Sequence, residues 1–398
     1  MSESVVIVSA ARTPMGGFQG DFSSLSAHDL GGAAIKAAVE RAAQGSKFTP
    51  ELVTEVIFGN CLMAGQGQAP ARQAAFKGGL PKSAGAVTLS KMCGSGMRAA
   101  MFAHDMLLVG SHDVLVAGGM ESMTNAPHLL LKGRSGIRIG HDRVMDHMML
   151  DGLEDAYEAG RSMGTFGEDC AAKYRFTREQ QDNFATASVQ RSQLATKSGA
   201  FSAEITPVAV KGRAGEVVVS IDEGPGKIKL DKIPTLKAAF KKDGTITAAS
   251  SSSINDGAAA MVLMRASTAA KLGLKPLAKI VSHATHAQEP NWFATAPLGA
   301  VNKALAKAGW AAKDVDLWEI NEAFAVVPMA LMHDLKLSHD IVNVNGGACA
   351  LGHPIGASGA RIMVTLMYAL QARGLKKGVA TLCIGGGEAT AVTLEMLF

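Results

Sequence analysis

The sequence predicts an α/β protein of five layers, α-β-α-β-α, built from two duplicated halves with a loop domain inserted into the first. Three observations carry that expectation: a helix-strand-glycine pattern that occurs twice, two helices apolar on nearly every face, and a middle segment unlike either end. At 398 residues, 47% hydrophobic and 19% charged, the chain is long enough for more than one buried layer.

The repeat comes first. Cys93-Gly94-Ser95-Gly96-Met97-Arg98 opens an apolar helix, followed by a strand, Val114-Leu115-Val116-Ala117, that ends at Gly118-Gly119. Ala357-Ser358-Gly359-Ala360-Arg361 opens a second such helix, and Val379–Ile384 again runs into Gly385-Gly386. Ser-Gly-x-Arg recurs at 95–98 and 358–361. Between Met97 and Val109 only Arg98, His104 and Asp105 are not apolar, and between Ala360 and Leu370 only Arg361 and Thr365 are not. A helix apolar all round must be buried on every side, which places both between two sheets.

The region 121–247 is richer in charge and loops. It holds one well-marked helix, opened by the capping box Thr177-Arg178-Glu179-Gln180 and stopped near Gly199. Ala258–Met264 reads as a buried strand where the chain returns. The expected division is therefore 1–120 with 248–275 as the first half, 121–247 as the insertion, and 276–398 as the second half.

Several function classes drop out. No apolar run reaches the ~20 residues that cross a bilayer, so membrane insertion is not expected. A net charge of +4, dispersed, gives no footprint for nucleic acid. Five cysteines without a Cys-x-x-Cys pair suit a reducing compartment rather than a disulfide or zinc framework. With no basic leader before Val5, a cytoplasmic protein is expected. From Lys227 to Lys242 six lysines face one acid, Asp231. That run is either a solvated face or a landing site for an anion.

Cys93 lies between a strand at 86–89 and a helix whose first turn carries Gly94 and Gly96. Free N–H groups and the helix dipole there favour thiolate, and the glycines leave room for an acyl group. An inert buried cysteine is the competing reading. His353, between glycines and beside Pro354, precedes the second buried helix, and Cys383 ends the last half's strand against Gly385-Gly386-Gly387. The duplication sets Cys93 and His353 at equivalent strand-to-helix turns, where active sites of α/β folds gather.

Ala10-Ala11-Arg12-Thr13-Pro14, Cys93-Gly94-Ser95-Gly96-Met97, Asn321-Glu322-Ala323-Phe324, Asn343–Gly347 running on to Gly352–Arg361, and Cys383-Ile384-Gly385-Gly386-Gly387 together resemble the signature blocks of the thiolase family, in family order over essentially the whole chain. The resemblance implies the thiolase fold and a ping-pong reaction: Cys93 is acylated by an acyl-CoA after His353 takes its proton. Cys383 then removes the α-proton of a second acyl-CoA, whose carbanion attacks the thioester. His353 with a water on Asn321 would hold one oxyanion, and the N–H groups of Cys93 and Gly385 the other. Coenzyme A enters as substrate and product, with no metal needed for the chemistry. By the same resemblance Ser252 lies near pantetheine, Phe240 and Leu236 flank adenine, and Lys227 begins a phosphate surface. Met163, Phe293, Ala323 and Phe324 line the acyl end. A homotetramer built as a dimer of dimers is the family habit.

Departures fall outside that catalytic set. Ala249-Ser250-Ser251-Ser252 stands where the family usually has Gly-Asn-Ala-Ser, Ser90 where Asn is common, Ser162 where short-chain members often have His, and Phe293 where Met is frequent. The expected reaction is condensation of two acetyl-CoA to acetoacetyl-CoA and CoA, or its reverse. The alternative is a 3-ketoacyl-CoA thiolase of broader chain length, as in fatty-acid β-oxidation. A decarboxylating ketoacyl synthase and a non-catalytic scaffold subunit are the readings from other classes, and the Cys93, His353, Cys383 set speaks against both.

Overall fold

The computed structural model describes residues 3–212 and 215–398; Met1 and Ser2, at the start of the leader reading, lie outside it. Nine principal strands form one sheet: β1 (Val5–Arg12), β2 (Glu55–Gly59), β3 (Gly85–Leu89), β4 (Val114–Ser122), β5 (Asn255–Arg265), β6 (Ala278–Ala287), β7 (Leu317–Ile320), β8 (Lys377–Ile384) and β9 (Glu388–Met396). Their spatial order is β7-β8-β9-β6-β1-β5-β4-β2-β3.

The pairing shows the duplication directly. In the first half β1 runs antiparallel to β5 and β5 to β4, while β4, β2 and β3 run parallel. In the second half β6 is antiparallel to β9 and β9 to β8. β8 is parallel to β7, and Val342 bridges parallel to Trp318 where a fifth strand would lie. The halves meet in a short antiparallel pairing, Val6 with Lys279 and Ile7 with Ala278.

The likeness reaches single residues. The register slips between Ile7 and Ser9 in β1 and between Ile280 and Ser282 in β6. Ile-Val-Ser stands at both slips, and the two serine hydroxyls donate to outer-helix carbonyls at 2.6 Å, Ser9 to Ala38 and Ser282 to Ala304. Val5 and Ile7 face one core, Val6 and Val8 the other; past the slip Ala10 rejoins the first set and Ala11 the second. The bulge absorbs one residue and keeps both faces apolar.

Eight helices complete the layers: α1 (Ala27–Ala43), α2 (Pro70–Lys77), α3 (Ser95–Leu108), α4 (Met163–Tyr174), α5 (Arg178–Ser198), α6 (Ala296–Ala308), α7 (Val326–Leu335) and α8 (Ile355–Arg373). α1 and α2 cover the outer face of the first half, α6 and α7 that of the second, and α3 and α8 fill the space between. The segment between β4 and β5 carries α4 and α5. α5 opens on the Thr177–Gln180 capping box and stops at Gly199 in the left-handed region. Arg12 ties this segment to β1. Its buried guanidinium donates to Glu204 at 2.7 Å and to both carboxylate oxygens of Asp222 at 2.7 and 2.9 Å.

Two expectations need correction. β4 does not end at its glycines but runs on to Ser122, because Gly118 and Gly119 are where neighbouring backbone presses against the strand. A Cβ on Gly119 would lie 2.1 Å from the carbonyl oxygen of Gly356. Burial on every side holds for α8 but not for α3. Phe102, Leu108 and Val109 are exposed, Val109 by 79%, on the helix that follows the edge strand β3.

α3 and α8 touch through residues without side chains. A Cβ on Gly96 would meet the Ala360 amide nitrogen at 2.8 Å, and one on Gly359 the Met97 amide nitrogen at 2.5 Å. Gly359→Ala is therefore expected to destabilise by about 1–3 kcal/mol through forced separation of backbones. The check is a lowered melting temperature, with Gly226→Ala, where a Cβ meets nothing within 4 Å, as the unaffected control.

Candidate active site

Cys93 sits on a tight turn between β3 and α3. Met92 before it adopts φ +46, a strained backbone for a side-chain-bearing residue. Ser95 holds the turn: its hydroxyl accepts from the Lys91 N–H at 2.8 Å and donates to the Met92 carbonyl at 2.7 Å. Gly94 has no room for a side chain, since a Cβ would lie 2.3 Å from the end of Ile384. The end of β8 thus packs on the nucleophile turn and brings Gly385 to it. The N–H groups of Gly385 and of Cys93 itself lie near enough to the thiol to favour its ionised form. Burial nevertheless wins and pushes the thiol up to about 11, against the pull of those two donors. The expectation of a resting thiolate at the helix tip is thus corrected. Cys93 precedes the N-cap Gly94, and desolvation outweighs the amides that reach it.

His353 is buried at the N-terminus of α8. The Ser358 hydroxyl donates to the Pro354 carbonyl at 2.9 Å, which leaves its oxygen to accept from His353 Nδ1 at 2.5 Å. That relay puts the ring proton on Nδ1. Nε2, which has no protein hydrogen-bond partner, is then a bare acceptor. Burial, aided by the Arg361 charge, lowers the imidazole to about 3, so it rests neutral. Asn321 follows β7; both atoms of its side-chain amide are buried and lack a protein partner. Cys383 is wholly buried on β8, its thiol raised well above the usual range by burial and by the nearby Cys93.

These residues meet around one run of cavities. The innermost is lined by Cys93, Met163, Ser252, Phe293, Ala323, Phe324, His353 and Gly385. Asn321 and Cys383 are not part of that lining; Cys383 is close enough to Cys93 for the two sulfurs to interact, and the Asn321 N–H donates to the Thr381 carbonyl at 3.0 Å. The cavity continues past Phe240, Ser252 and Ser253. It then opens into a groove of about 550 Å³ whose walls include Leu236, Lys227, Lys229 and Lys232. Lys227 is exposed and its ammonium is held by Glu223.

The serine run at 250–253 is tied to the second half of the chain. Ser251 bridges Phe324, the Ser252 N–H donates to the Ala323 carbonyl at 3.0 Å, and the Ser253 carbonyl accepts from the His353 N–H at 3.2 Å. Sequence reasoning also missed Glu121. Its buried carboxylate accepts from Asn60 Nδ2 at 2.6 Å, from the Cys61 and Leu62 amides at 3.0 and 3.1 Å, and from the Gly356 amide at 2.8 Å. Burial lifts it to about 7 against those donors. An acid directly after an apolar strand, at Met120-Glu121, was the available signal. The one group of potential metal ligands among the described residues, His104, Asp105 and His283, lies apart from these cavities.

Comparison with known proteins agrees with this geometry. Residues 5–267 match the family described as thiolase, N-terminal domain, and residues 274–396 match thiolase, C-terminal domain. The chain is 50% identical to acetyl-CoA acetyltransferase 2 of Arabidopsis thaliana, covering 99% of this chain and 97% of the relative. It is 49% identical to an acetyl-CoA acetyltransferase of Rhizobium meliloti (strain 1021), covering 99% of both. The crystal structure of a thiolase from Ascaris suum in complex with coenzyme A superposes with a TM-score of 0.93 at 43% identity, covering 99% of this chain and 100% of that one.

The raised thiol carries a pH signature. Only thiolate alkylates, and with the thiol near 11 its fraction rises through the whole neutral range. Iodoacetamide should therefore modify Cys93 roughly tenfold faster per pH unit between about pH 7 and 9. A plateau in that window would reveal a thiolate–imidazolium pair instead.

Proposed function

The chain belongs to the thiolase family, and from that premise we propose that it joins two acetyl-CoA into acetoacetyl-CoA and CoA, and runs the reverse thiolysis, through an acyl group on Cys93. The observation that carries the reading is the convergence of a half-buried thiol, a neutral imidazole with a bare Nε2, and two backbone N–H groups on one narrow cavity.

His353 Nε2 takes and keeps the proton of Cys93 as its sulfur attacks the thioester carbonyl, while Cys383 gives its own proton to the departing CoA thiolate and is left as the thiolate base. The N–H groups of Cys93 and Gly385 are placed to receive the carbonyl oxygen of the acyl-enzyme. His353, carrying that proton on Nε2, and a water on Asn321 serve the second thioester oxygen. Cys383 takes the α-proton of the second acetyl-CoA. The Cys93 thiolate released when the carbon–carbon bond forms takes its proton back from His353, so both thiols and the imidazole end neutral. Burial makes the Cys383 thiolate a strong base, which suits abstraction from carbon. Coenzyme A would run from the inner cavity past Ser252 and Phe240 to Leu236. Lys229 and Lys232 would stand beside Lys227 as its phosphate surface.

The acyl end favours short chains. The Phe293 and Phe324 rings meet edge to face at 6.3 Å, and Phe240 closes on Phe324 at 5.6 Å, so aromatic walls stand where a longer chain would extend. The exposed flank of α3 beside the open edge of β3 supports a dimer contact. The exposed apolar segment with Leu130, Leu131, Ile137 and Ile139 supports a second contact, together consistent with a homotetramer. No helix of the described residues is long and apolar enough to cross a membrane. The five free cysteines suit a reducing, cytoplasmic setting, and the proposed acyl-CoA chemistry suits a place in lipid metabolism.

Four measurements test this. Cys93→Ser should give no acetyl-enzyme by mass spectrometry. Cys383→Ser should still be acetylated on Cys93 but lose condensation, and equal loss of both steps would refute the division of roles. Asn321→Ala should lower kcat by about 10²–10³ with KM little changed, the loss expected for one oxyanion contact. Thiolysis rates across 3-ketoacyl-CoA chain lengths should fall steeply beyond the shortest; a flat profile would favour the broad-chain alternative.

A further inference from the structure

Two of the polar residues that interrupt the apolar α3 point at the other half of the molecule. His104 is nine-tenths buried, Asp105 half exposed, and both reach His283 on β6, whose side chain is 12% exposed. Three ligand-type atoms converge: His283 Nε2 lies 2.9 Å from Asp105 Oδ1 and 3.2 Å from His104 Nδ1, and His104 Nδ1 lies 3.1 Å from Asp105 Oδ1. The two rings stand perpendicular, with centroids 4.9 Å apart. Perpendicular rings let both nitrogen lone pairs aim at one point.

We propose that His104, Asp105 and His283 form a binding site for one late first-row divalent cation, Zn²⁺ being the type case. Ligand atoms held tetrahedrally at ordinary Zn–N and Zn–O lengths are separated by roughly 3.3 Å. The triangle found here needs to open by only a few tenths of an ångström to accept the ion. Two imidazoles and one carboxylate are a borderline set that selects Zn²⁺, Co²⁺ or Ni²⁺ over the hard cations Mg²⁺ and Ca²⁺. Asp105 is half exposed within the single chain, so the open side of the triangle there can take water as a further ligand.

The electrostatics suit the ion. Burial holds the His283 imidazole below its ordinary value, and the Lys307 and His104 charges add to this while Asp105 opposes it, so the ring rests in the neutral form that binds metal. Burial works against ionisation of Asp105, yet hydrogen bonds from His104 and His283 hold it below the usual carboxylate range. The site joins the helix that carries the nucleophile turn to the first strand of the second half. Its role is a cross-link between halves, outside the reaction itself.

The test is calorimetric titration of chelator-treated protein with Zn²⁺, followed by Co²⁺ spectroscopy. One ion per chain is expected, with a rise in melting temperature and with Co²⁺ d–d bands of a nitrogen and oxygen site. Asp105→Asn and His283→Gln should each weaken binding by at least about tenfold. Asp105→Asn, at a half-exposed position, should leave the metal-free melting temperature and the thiolysis rate unchanged. Equal uptake by wild type and both variants, a thiolate-to-cobalt charge-transfer band, or no saturable uptake would each overturn the proposal. In the last case the cluster is a closed hydrogen-bond network and no more.

Discussion

The structure depends on a contact made by atoms that are not there. α3 and α8 cross with Gly96 and Gly359 at the interface, so backbone meets backbone. Beneath them Gly59 and Gly119 let the sheet rise to the same point: a Cβ on Gly59 would lie 2.6 Å from the Gly96 amide nitrogen. Close packing tolerates little adjustment at such a junction. The nucleophile turn begins one end of α3, and the histidine turn begins the same end of α8. Their separation is therefore set by this crossing and not by either loop. Glu121 reinforces it by accepting from the Cys61 and Leu62 amides on one side and from the Gly356 amide of α8 on the other.

That constraint decides the electrostatics. Burying both helix ends between the two halves of the sheet strips water from Cys93, His353 and Cys383 together. Each then rests in its neutral form, the thiols raised and the imidazole lowered. A neutral site costs little desolvation before substrate arrives, whereas a standing thiolate–imidazolium pair would carry a buried-charge penalty. Charge is created only when the thioester carbonyl brings an oxygen within reach of the Gly385 and Cys93 amides. Donors fixed in a dry cavity act at full strength at that moment, without having to reorganise. The Ser358–Pro354 relay belongs to the same logic, since it settles the tautomer before any substrate binds.

Much of this was legible in the sequence, because glycine and apolar patterns report backbone approach and burial. The repeated Ser-Gly-x-Arg, the two apolar helices and the Cys93 and His353 turns all follow from local composition. What stayed hidden needed three dimensions. Arg361 and Thr365 read as blemishes on an apolar helix, yet Arg361 is answered by Glu319 at 3.4 Å and Thr365 by Glu204 at 3.3 Å. Partners that distant in the chain leave no spacing to detect. The resting thiol of Cys93 was misjudged for a related reason: a helix tip is visible in sequence, but the depth at which it is buried is not. Ile-Val-Ser at both register slips was visible all along and is the one rhyme overlooked.

The inserted segment shows why two halves of such similar design can do different work. Each half offers one strand-to-helix turn to the central seam, so symmetry alone would give two equivalent sites or none. The chain between β4 and β5 leaves only the first half, and Arg12 anchors it to β1 through Glu204 and Asp222. It supplies Met163, Phe240, Leu236 and the lysines, and so builds a roof and a groove over one end of the seam. The serine run then returns beneath that roof and hydrogen-bonds to the backbone of Ala323 and His353 in the second half. Duplication supplies a cysteine turn and a histidine turn facing one another. The insertion breaks the two-fold likeness and determines from which side a long anionic thioester can reach them.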